Sequence, residues 1–310
     1  MLTALVTAAT VSSSQSEVMQ DSGGILKVGD SLLHLNGRTG SGFKFVAEDL
    51  SSIVLNLGPH TTQPEVAIGL SLNYGPFINL NVTEGANILP LISPNANTKG
   101  SKTVIRLNAQ GWQNNRLNVE SIVLNNEAKL QPYTPSKLAF QFIGDSLSAG
   151  QYLPNGVDGA WPFLTGETFK AEHNVQAQPG ACLTDILSYG NVHGVSYEFF
   201  RTYLTFTDRL RTLYPYQPFL VFTPWGWPNP DGTVNQYYEG RYEEIVTKRH
   251  IQGDKNVFLV NTTGWVTYAD VFPANQHPTT EGHIKISGLF TDWLKKWGLQ
   301  PEASWPTLPN

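Results

Sequence analysis

Hydrophobic residues follow two different patterns along the chain, and the pattern changes near residue 135. Before that point, short apolar runs alternate with Gly, Asn and Pro, which predicts a series of short β-strands. The predicted strands are 25–28, 32–35, 43–46, 52–57, 65–72, 77–82, 102–107 and 117–124. Strands of this length and spacing are typical of a β-sandwich or jelly roll.

Beyond Pro132 and Pro135, apolar strands alternate with stretches of helical period. The predicted strands are 138–143, 175–178, 219–222 and 257–260, and the predicted helices are 196–213, 235–251 and 280–297. This alternation predicts an α/β fold, a parallel sheet covered by helices on both faces. The sequence therefore predicts a β-sandwich or jelly-roll domain over residues 1–135 and an α/β domain over residues 136–310.

Length, composition and charge support this division and narrow the possible partners. The 310 residues suffice for about two domains. Charged residues make up 15% of the chain, against about 25% in an average soluble protein, and such a surface suits neutral, hydroxyl-rich ligands. A net charge of −5 without a basic cluster argues against a nucleic-acid partner. The single cysteine, Cys182, excludes an intramolecular disulfide, and the sequence has no recognisable zinc motif.

The N-terminal segment and two sequons bear on the compartment. The opening MLTALVTAATVSSS has a short apolar run but lacks the positive residues that begin a signal peptide, so residues 1–16 fit either a signal remnant or a first strand. Asn81 and Asn261 begin Asn-x-Thr sequons, which permit glycosylation on the secretory route. Because no apolar run approaches the ~18 residues of a membrane helix, no membrane partner is expected. We expect a secreted, extracellular glycoprotein.

The segment after the first α/β strand carries the clearest chemical signal. It reads FIGDSLSAG over residues 142–150, with Ser146 just past the strand. Ligands of open parallel sheets bind outside the carboxyl ends of the strands, so Ser146 lies where a nucleophile can act. Serine in such a turn is otherwise an ordinary turn or cap residue. Asp145 is predicted to bond the turn around Ser146.

A second segment, QHPTTEGH over residues 276–283, supplies a candidate general base, His277. An imidazole pKa near 6.5 leaves this side chain neutral and able to accept a proton at working pH. Thr280 is predicted to cap the helix that follows. His283 lies inside that helix and is predicted to be structural.

Together these two segments resemble the serine and histidine blocks of the SGNH or GDSL hydrolase superfamily. The resemblance implies a three-layer, flavodoxin-like hydrolase domain with Ser146 as nucleophile, His277 as base, and no metal or organic cofactor. Superfamily members usually carry an aspartate three residues before the histidine, where this chain has Ala274. The imidazole is therefore expected to be oriented by Asp270 or, in a Ser-His dyad, by a backbone carbonyl such as one near Trp265.

The resemblance also implies an oxyanion hole made from the amide at the serine, a glycine N–H and an asparagine side chain. Gly180, just after the second α/β strand, is the candidate glycine. In the segment PWGWPNPD, residues 224–231, Asn229 matches the asparagine block if the loop is one residue longer than usual. Trp225 and Trp227 in the same loop are either core aromatics or a platform for a sugar ring.

Upstream segments narrow the resemblance to one family. Asn36-Gly37-Arg38, TVIRL at 103–107 and residues 118–124 resemble the sandwich domain that precedes the SGNH domain in carbohydrate esterase family 2, and GVSYEFF at 194–200 is similar to fungal secreted members. That family removes acetyl groups from plant cell-wall polysaccharides such as xylan and glucomannan. The resemblance implies a serine esterase, for example an acetylxylan esterase, acting on an acetylated polysaccharide or oligosaccharide. Two alternatives stay open: a carbohydrate-binding protein with a degenerate esterase site, and a lipase-like GDSL esterase.

Overall fold

The structure is a computed structural model that describes residues 5–10, 25–26, 34–36, 41–92, 99–110, 115–180 and 196–307. Three residues singled out in the sequence, Arg38, Cys182 and Gly194, lie outside these ranges, as do the residues next to each of them.

The chain divides into two compact units, and the division differs from the predicted one at both ends. The first unit comprises Met1–Thr10 and Lys137–Glu302, and the second unit comprises Val11–Ser136 and Ala303–Asn310. The internal division at Ser136 lies next to the predicted boundary. Each terminal segment belongs to the unit that the sequence did not predict for it. Leu5–Thr10 pairs within the α/β sheet of the first unit, and Trp305 stacks on Tyr74 within the second unit, with ring centroids 4.2 Å apart.

The second unit consists of two antiparallel sheets around a shared core. Its strands are β2 Ile25–Leu26, β3 His34–Asn36, β4 Gly42–Glu48, β5 Ile53–Leu57, β6 Val66–Leu72, β7 Ile78–Val82, β8 Gly85–Leu89, β9 Lys102–Ala109, β10 Val119–Leu124 and β11 Lys129–Gln131. One sheet has the order β2-β10-β5-β8, and the other has the order β11-β4-β9-β6-β7 with β3 paired to β4. Side chains of β5 alternate between buried and half-buried, and its buried residues share one apolar cluster with Phe45 and Ile105 of the facing sheet.

The first unit is built on a five-stranded sheet of mixed direction. Its order is β13-β12-β1-β14-β17, formed by Glu172–Ala177, Leu138–Gly144, Leu5–Thr10, Phe219–Phe222 and Val257–Val260. Strands β12 and β13 are parallel, as are β14 and β17, but β1 runs antiparallel between the two pairs. The prediction of a purely parallel sheet is therefore wrong at its centre. The central strand comes from the N-terminal segment, which no local pattern connects to this sheet.

Helices cover both faces of this sheet. Strand β14 is buried along its whole length, and its residues alternate between two apolar clusters. Leu220 and Phe222 pack with helices α2 Trp161–Phe169 and α5 Thr280–Trp297, while Phe219 and Val221 pack with α3 Ser196–Leu213 and α4 Arg241–Ile251. The predicted three-layer arrangement is confirmed in this respect.

The boundaries of α3 and α5 agree with the predicted ranges 196–213 and 280–297. Helix α4 begins at Arg241 rather than near residue 235, because β16 Val234–Asn235 pairs with β15 Trp227–Pro228 in a hairpin and Gly240 forms the N-cap. The carboxyl ends of β12, β13, β14 and β17 meet at one edge of the sheet. The loops that follow these strands carry the candidate site.

Candidate active site

Ser146 begins a single helical turn at the end of β12. This turn, α1, spans Ser146–Ala149, and Asp145 is its N-cap, with Oδ1 accepting a 3.0 Å hydrogen bond from the Leu147 N–H. The indole N–H of buried Trp161 donates to the Leu147 carbonyl over 3.1 Å and supports the turn from the core. Gly150 closes the turn at φ 70°, where a Cβ atom would collide with the Gly156 carbonyl. The structure confirms the predicted structural role of Asp145.

His277 lies beside Ser146, although 131 positions separate the two residues in the sequence. Its Nε2 atom is 2.9 Å from Ser146 Oγ. Both residues are half-buried, so neither is fully enclosed by the protein. The structure therefore brings together the two residues that the sequence singled out as nucleophile and base.

A short loop, residues 271–278, fixes the position of the imidazole; we call it the His277 loop. It is closed by a bridge between Val271 and Pro278 and by a 2.8 Å hydrogen bond from the Phe272 N–H to the His277 carbonyl. Asn275 accepts twice from His277: its side-chain oxygen from the backbone N–H, and its backbone carbonyl from ring Nδ1, each over 3.0 Å.

These contacts determine which ring nitrogen carries the proton. The Asn275 carbonyl can only accept a hydrogen bond, so Nδ1 of the neutral ring must hold the hydrogen. Nε2 is then an acceptor, and it faces the Ser146 hydroxyl. Burial lowers the pKa of His277 below its usual value, while the hydrogen bond to Asn275 raises it by a smaller amount. The neutral form, which a general base requires, is the favoured one.

Asp270 does not take the orienting role that the sequence left open for it. Its Oδ2 atom accepts from Lys285 Nζ at 2.6 Å and from the Thr267 N–H and hydroxyl at 2.8 and 2.7 Å. Burial alone would raise the pKa of Asp270, but the contacts with Lys285 and Thr267 outweigh it and lower that pKa. Because the Asn275 carbonyl occupies His277 Nδ1, the expectation for Asp270 is corrected in favour of a backbone carbonyl. That carbonyl belongs to Asn275 and not to a residue near Trp265.

The start of helix α5 packs against Asp270, the residue that precedes the His277 loop. Thr279, and not the predicted Thr280, is the N-cap, and its Oγ1 atom accepts from the Gly282 N–H at 3.1 Å. A Cβ atom at Gly282 would collide with the carbonyl of Asp270, so the glycine permits the close approach of helix and loop. One turn later, Nδ1 of buried His283 accepts a 3.1 Å hydrogen bond from the backbone N–H of Trp161. Burial and the nearby His277 lower the pKa of His283 to about 3, which agrees with its predicted structural role.

Gly180 lies three residues after the end of β13, in a turn at φ 74°. Strand β13 pairs in parallel with β12, and their last residues, Ala177 and Gly144, are partners in the register. The turn is tied to β12 by a 3.1 Å hydrogen bond from the Gln178 N–H to the Gly144 carbonyl. Gly180 and Ser146 therefore follow neighbouring strand ends at the same edge of the sheet.

Asn229 is engaged elsewhere, in the hairpin of β15 and β16, which spans residues 227–235 and which we call the Trp227 hairpin. Its side-chain amide donates to Thr233 Oγ1 at 3.0 Å, and its backbone N–H donates to the Thr233 carbonyl at 2.8 Å. Asp231 also accepts from the Thr233 hydroxyl, at 2.6 Å. The expectation that a longer loop aims Asn229 at the oxyanion is therefore corrected: its amide closes the turn of the hairpin.

The two loop tryptophans have different environments. Trp225 is only 2% exposed and belongs to the apolar cluster beneath helices α2 and α5, so the sugar-platform expectation is wrong for this residue. Trp227 is half-buried, and its ring meets that of Tyr237 edge to face at 6.5 Å. Only Trp227 still presents part of its ring to a ligand.

Tyr152 is a candidate site residue that the sequence did not indicate. Its ring stands edge to face against the His277 imidazole, with centroids 5.0 Å apart, and 48% of its surface is exposed. Its φ of 72° lies in the left-handed region, which a bulky residue rarely adopts and which costs on the order of 1–3 kcal/mol. Backbone strain of this kind clusters at functional sites. The GDSL segment carries no signal that predicts a tyrosine beside the histidine.

A metal centre and a membrane-spanning helix are both absent from the residues that the structure describes. No group of three or more His, Cys, Asp or Glu side chains in these ranges is arranged to hold a metal ion. Within the same ranges, no helix combines the length and the apolar composition needed to cross a membrane.

Comparison with solved structures gives many matches that cover most of the chain. A family two carbohydrate esterase from Clostridium thermocellum in complex with cellohexaose has a TM-score of 0.67 at 14% identity, covering 88% of this chain and 99% of that one. An acetyl xylan esterase from the rumen bacterium Butyrivibrio proteoclasticus has a TM-score of 0.64 at 15% identity, covering 91% and 99%. A salicylyl-acyltransferase from a tetracycline biosynthetic pathway has a TM-score of 0.66 at 13% identity, covering 89% and 98%.

Neither the protein-family models nor the curated proteins contain a match to this sequence. At identities this low, the structural matches establish the fold alone, and they do so along nearly the whole chain. The serine and histidine segments indicated a resemblance to the SGNH or GDSL superfamily, and the upstream segments narrowed it to carbohydrate esterase family 2; the structural matches support this resemblance. The chain therefore shares the fold of family two carbohydrate esterases, with Ser146 and His277 joined at the carboxyl edge of its α/β sheet.

Proposed function

We propose that this protein is a serine esterase that removes acetyl groups from an O-acetylated plant cell-wall polysaccharide such as xylan or glucomannan. One observation carries the proposal: Ser146 Oγ lies 2.9 Å from Nε2 of an imidazole whose Nδ1 is anchored to a backbone carbonyl. This arrangement matches the nucleophile, base and orienting group of serine hydrolases, with the Asn275 carbonyl in place of an aspartate.

The reaction proceeds in two steps. In the first, His277 Nε2 takes the Ser146 proton as Oγ attacks the acetyl carbonyl; the bond to the sugar oxygen then breaks, and that oxygen takes the proton from His277. In the second, His277 accepts a proton from water, the water oxygen attacks the acetyl group on Ser146, and Oγ leaves with the proton. The products are a free sugar hydroxyl and acetic acid. The reaction requires no cofactor.

The developing oxyanion needs fixed donors, and we infer that backbone groups supply them. The N–H groups of Ser146 and Gly180 are the candidates, because both residues follow neighbouring strand ends at one edge of the sheet. Asn229 is not included, since its amide serves the hairpin. Tyr152 and Trp227 are the partly exposed aromatic residues that we assign to the walls of the substrate site.

The structural neighbours support the substrate class. One was determined with cellohexaose and another is an acetyl xylan esterase, and this chain shares their fold. A low content of charged residues agrees with a neutral polysaccharide partner. We further infer a jelly-roll topology for the second unit and, from the sequon at Asn81, secretion and glycosylation at that residue.

The test is release of acetate from acetylated xylan, acetylated glucomannan and a small aryl acetate, measured for the protein and for Ser146→Ala. We expect hydrolysis of at least one polysaccharide and loss of all turnover in Ser146→Ala, with unchanged circular dichroism. Hydrolysis of long-chain esters alone would favour the lipase-like alternative. Transfer of the acyl group to an added alcohol without release of acid would favour an acyltransferase, like one of the structural neighbours. Binding of the polysaccharide without any turnover would favour the carbohydrate-binding alternative.

A further inference from the structure

A concave site lies at the same edge of the sheet as Ser146, at the ends of β14 and β17. It is a groove of about 390 Å³, within the range of ligand sites, and residues 223–224, 236–240, 242–243, 261 and 263 line it. We call it the β14–β17 groove. Strand β14 is two positions from β12 in the sheet, so the groove is displaced from the Ser146 strand by roughly 10 Å at the usual strand spacing.

The chemistry of the lining excludes several classes of ligand. No Lys, Arg or His side chain lines the groove, which disfavours phosphate and other anions. Its only aliphatic lining residue is Pro224, so an acyl chain would find little apolar surface. The lining instead combines three tyrosines with two glutamates, two amides and two threonines. Aromatic faces beside many hydrogen-bonding groups suit a neutral ligand rich in hydroxyls.

The groove is preformed by contacts between its own elements. The Thr262 N–H donates to Thr223 Oγ1 at 2.8 Å and the Thr262 hydroxyl donates to the Thr223 carbonyl at 2.6 Å, which locks the ends of β14 and β17 together. Asn261 accepts from the Thr263 N–H at 3.0 Å, and the Tyr238 carbonyl accepts from the Arg241 N–H at 3.0 Å. A preformed site loses little entropy on binding.

The aromatic wall continues toward the loop that follows β14. Tyr237 lines the groove and meets Trp227 edge to face at 6.5 Å. Tyr237 and Trp227 are both half-buried, so each keeps part of its ring accessible. This pair of rings extends the aromatic lining of the groove toward the Trp227 hairpin.

We propose that the β14–β17 groove is a secondary saccharide-binding site, distinct from the Ser146–His277 pair, that holds unacetylated sugar units of the polysaccharide chain. Tyr237 supplies a stacking face, Glu239 accepts hydrogen bonds from sugar hydroxyls, and the Asn261 side chain donates to and accepts from them. The proposal rests on the proposed function in its choice of a cell-wall saccharide. The function of the β14–β17 groove is to retain the polymer near Ser146 between successive hydrolytic events.

The experiment measures binding of linear, unacetylated xylohexaose and cellohexaose by isothermal titration calorimetry. The protein is produced in a host without N-glycosylation, because Asn261 lines the groove and begins a sequon. Tyr237→Ala and Glu239→Gln are compared with Tyr216→Ala. The control residue Tyr216 is 86% exposed and precedes β14, at the opposite edge of the sheet.

We expect Tyr237→Ala to raise the Kd of the oligosaccharide that binds by at least about fivefold, Glu239→Gln by about twofold to fivefold, and Tyr216→Ala by less than about 1.5-fold. Glu239 is exposed, so its substitution tests the groove even if Tyr237→Ala fails to fold. Equal Kd values for Glu239→Gln and the unmodified protein, or no binding of either saccharide, would overturn the proposal. Calcium binding that competes with the saccharide and is lost in Glu239→Gln would also overturn it, in favour of a cation site.

Failure of this inference is distinguishable from failure of the esterase proposal. Hydrolysis of an aryl acetate by the unmodified protein, together with saccharide binding that is indifferent to Tyr237 and Glu239, rejects the groove and retains the esterase. Saccharide binding that depends on those two residues, without hydrolysis of any ester, rejects the esterase and retains the groove.

Discussion

The His277 loop and the Trp227 hairpin lie at the same edge of the sheet but use their polar groups in opposite ways. In the His277 loop, the backbone and side chain of Asn275 hold one imidazole so that it faces Ser146. In the hairpin, Asn229 and Asp231 both bond to Thr233 and close the turn on itself. Residue type alone does not distinguish the two loops, since each contains asparagine, two prolines and an aromatic residue. The partner of each polar group decides whether its loop serves chemistry or structure.

The strongest test of this contrast removes the imidazole itself. We expect His277→Ala to lower kcat on a small aryl acetate by at least about 10⁴-fold, because no base then receives the Ser146 proton. The thermal unfolding midpoint should change little, since the side chain is half-buried. Retention of more than about one per cent of the activity in a folded variant would show that another group acts as the base.

The pH dependence of the reaction sharpens the role of the same loop. Burial lowers the pKa of His277, and only the neutral imidazole acts as a base. As the pH falls through this lowered pKa, the imidazole becomes protonated, so kcat/KM should fall about tenfold per pH unit below it and stay level above it. The midpoint measured on a neutral ester should lie below 6.5. A midpoint at or above 6.5 would show that burial does not control the pKa of His277.

Tyr152 tests whether an exposed aromatic beside the His277 loop contacts substrate. We expect Tyr152→Ala to raise KM for acetylated polysaccharide by about threefold to tenfold, because the 48% exposed ring stands beside the imidazole. Tyr152→Phe is the matched control and should keep the KM of the unmodified protein if the ring face is what matters. An equal change in both variants would point to the hydroxyl group instead.

Asp270 tests whether the carboxylate next to the His277 loop contributes to the chemistry. We expect Asp270→Asn to lower kcat by less than tenfold, whereas loss of a true triad aspartate costs about 10⁴-fold. Its contact with the 40% exposed Lys285 side chain is expected to add at most about 1 kcal/mol of stability at neutral pH. Steady-state kinetics with chemical denaturation on the same samples gives both values. A thousandfold loss in a folded variant would restore the triad.

The smallest effect on turnover is expected in the Trp227 hairpin. Asn229→Ala should lower kcat by less than about twofold, because its amide bonds to Thr233 and not to the reacting group. Removal of an oxyanion donor would cost about 10²–10³-fold. The variant should instead lose about 1 kcal/mol of stability with the hydrogen bond. A hundredfold fall in kcat at unchanged stability would return Asn229 to the oxyanion hole.

Local sequence pattern determined a large part of the fold. The strands at 219–222 and 257–260, helices α3 and α5, and the change of architecture near residue 136 follow from hydrophobic period and turn residues, and the structure has them there. The same holds for the position of Ser146 just past β12. These features depend on neighbours a few positions away, and sequence records such neighbours directly.

Tertiary structure decided the features that depend on distant partners. The central position of β1 depends on pairing with strands more than 100 positions away. Burial of Trp225 depends on helices α2 and α5 closing over it. The contact between Tyr152 and His277 joins residues that no local period relates.

Tertiary structure also decided the orientation of His277, although Asn275, which holds the imidazole, is only two positions away in the sequence. The sequence predicted the base and left open whether Asp270 or a backbone carbonyl holds it. The carbonyl of Asn275 reaches Nδ1 in a chain that turns tightly, with Gln276 at φ 55°. Every residue has a carbonyl, so residue type carries no signal for this role. Only the path of the backbone decides which carbonyl meets the imidazole.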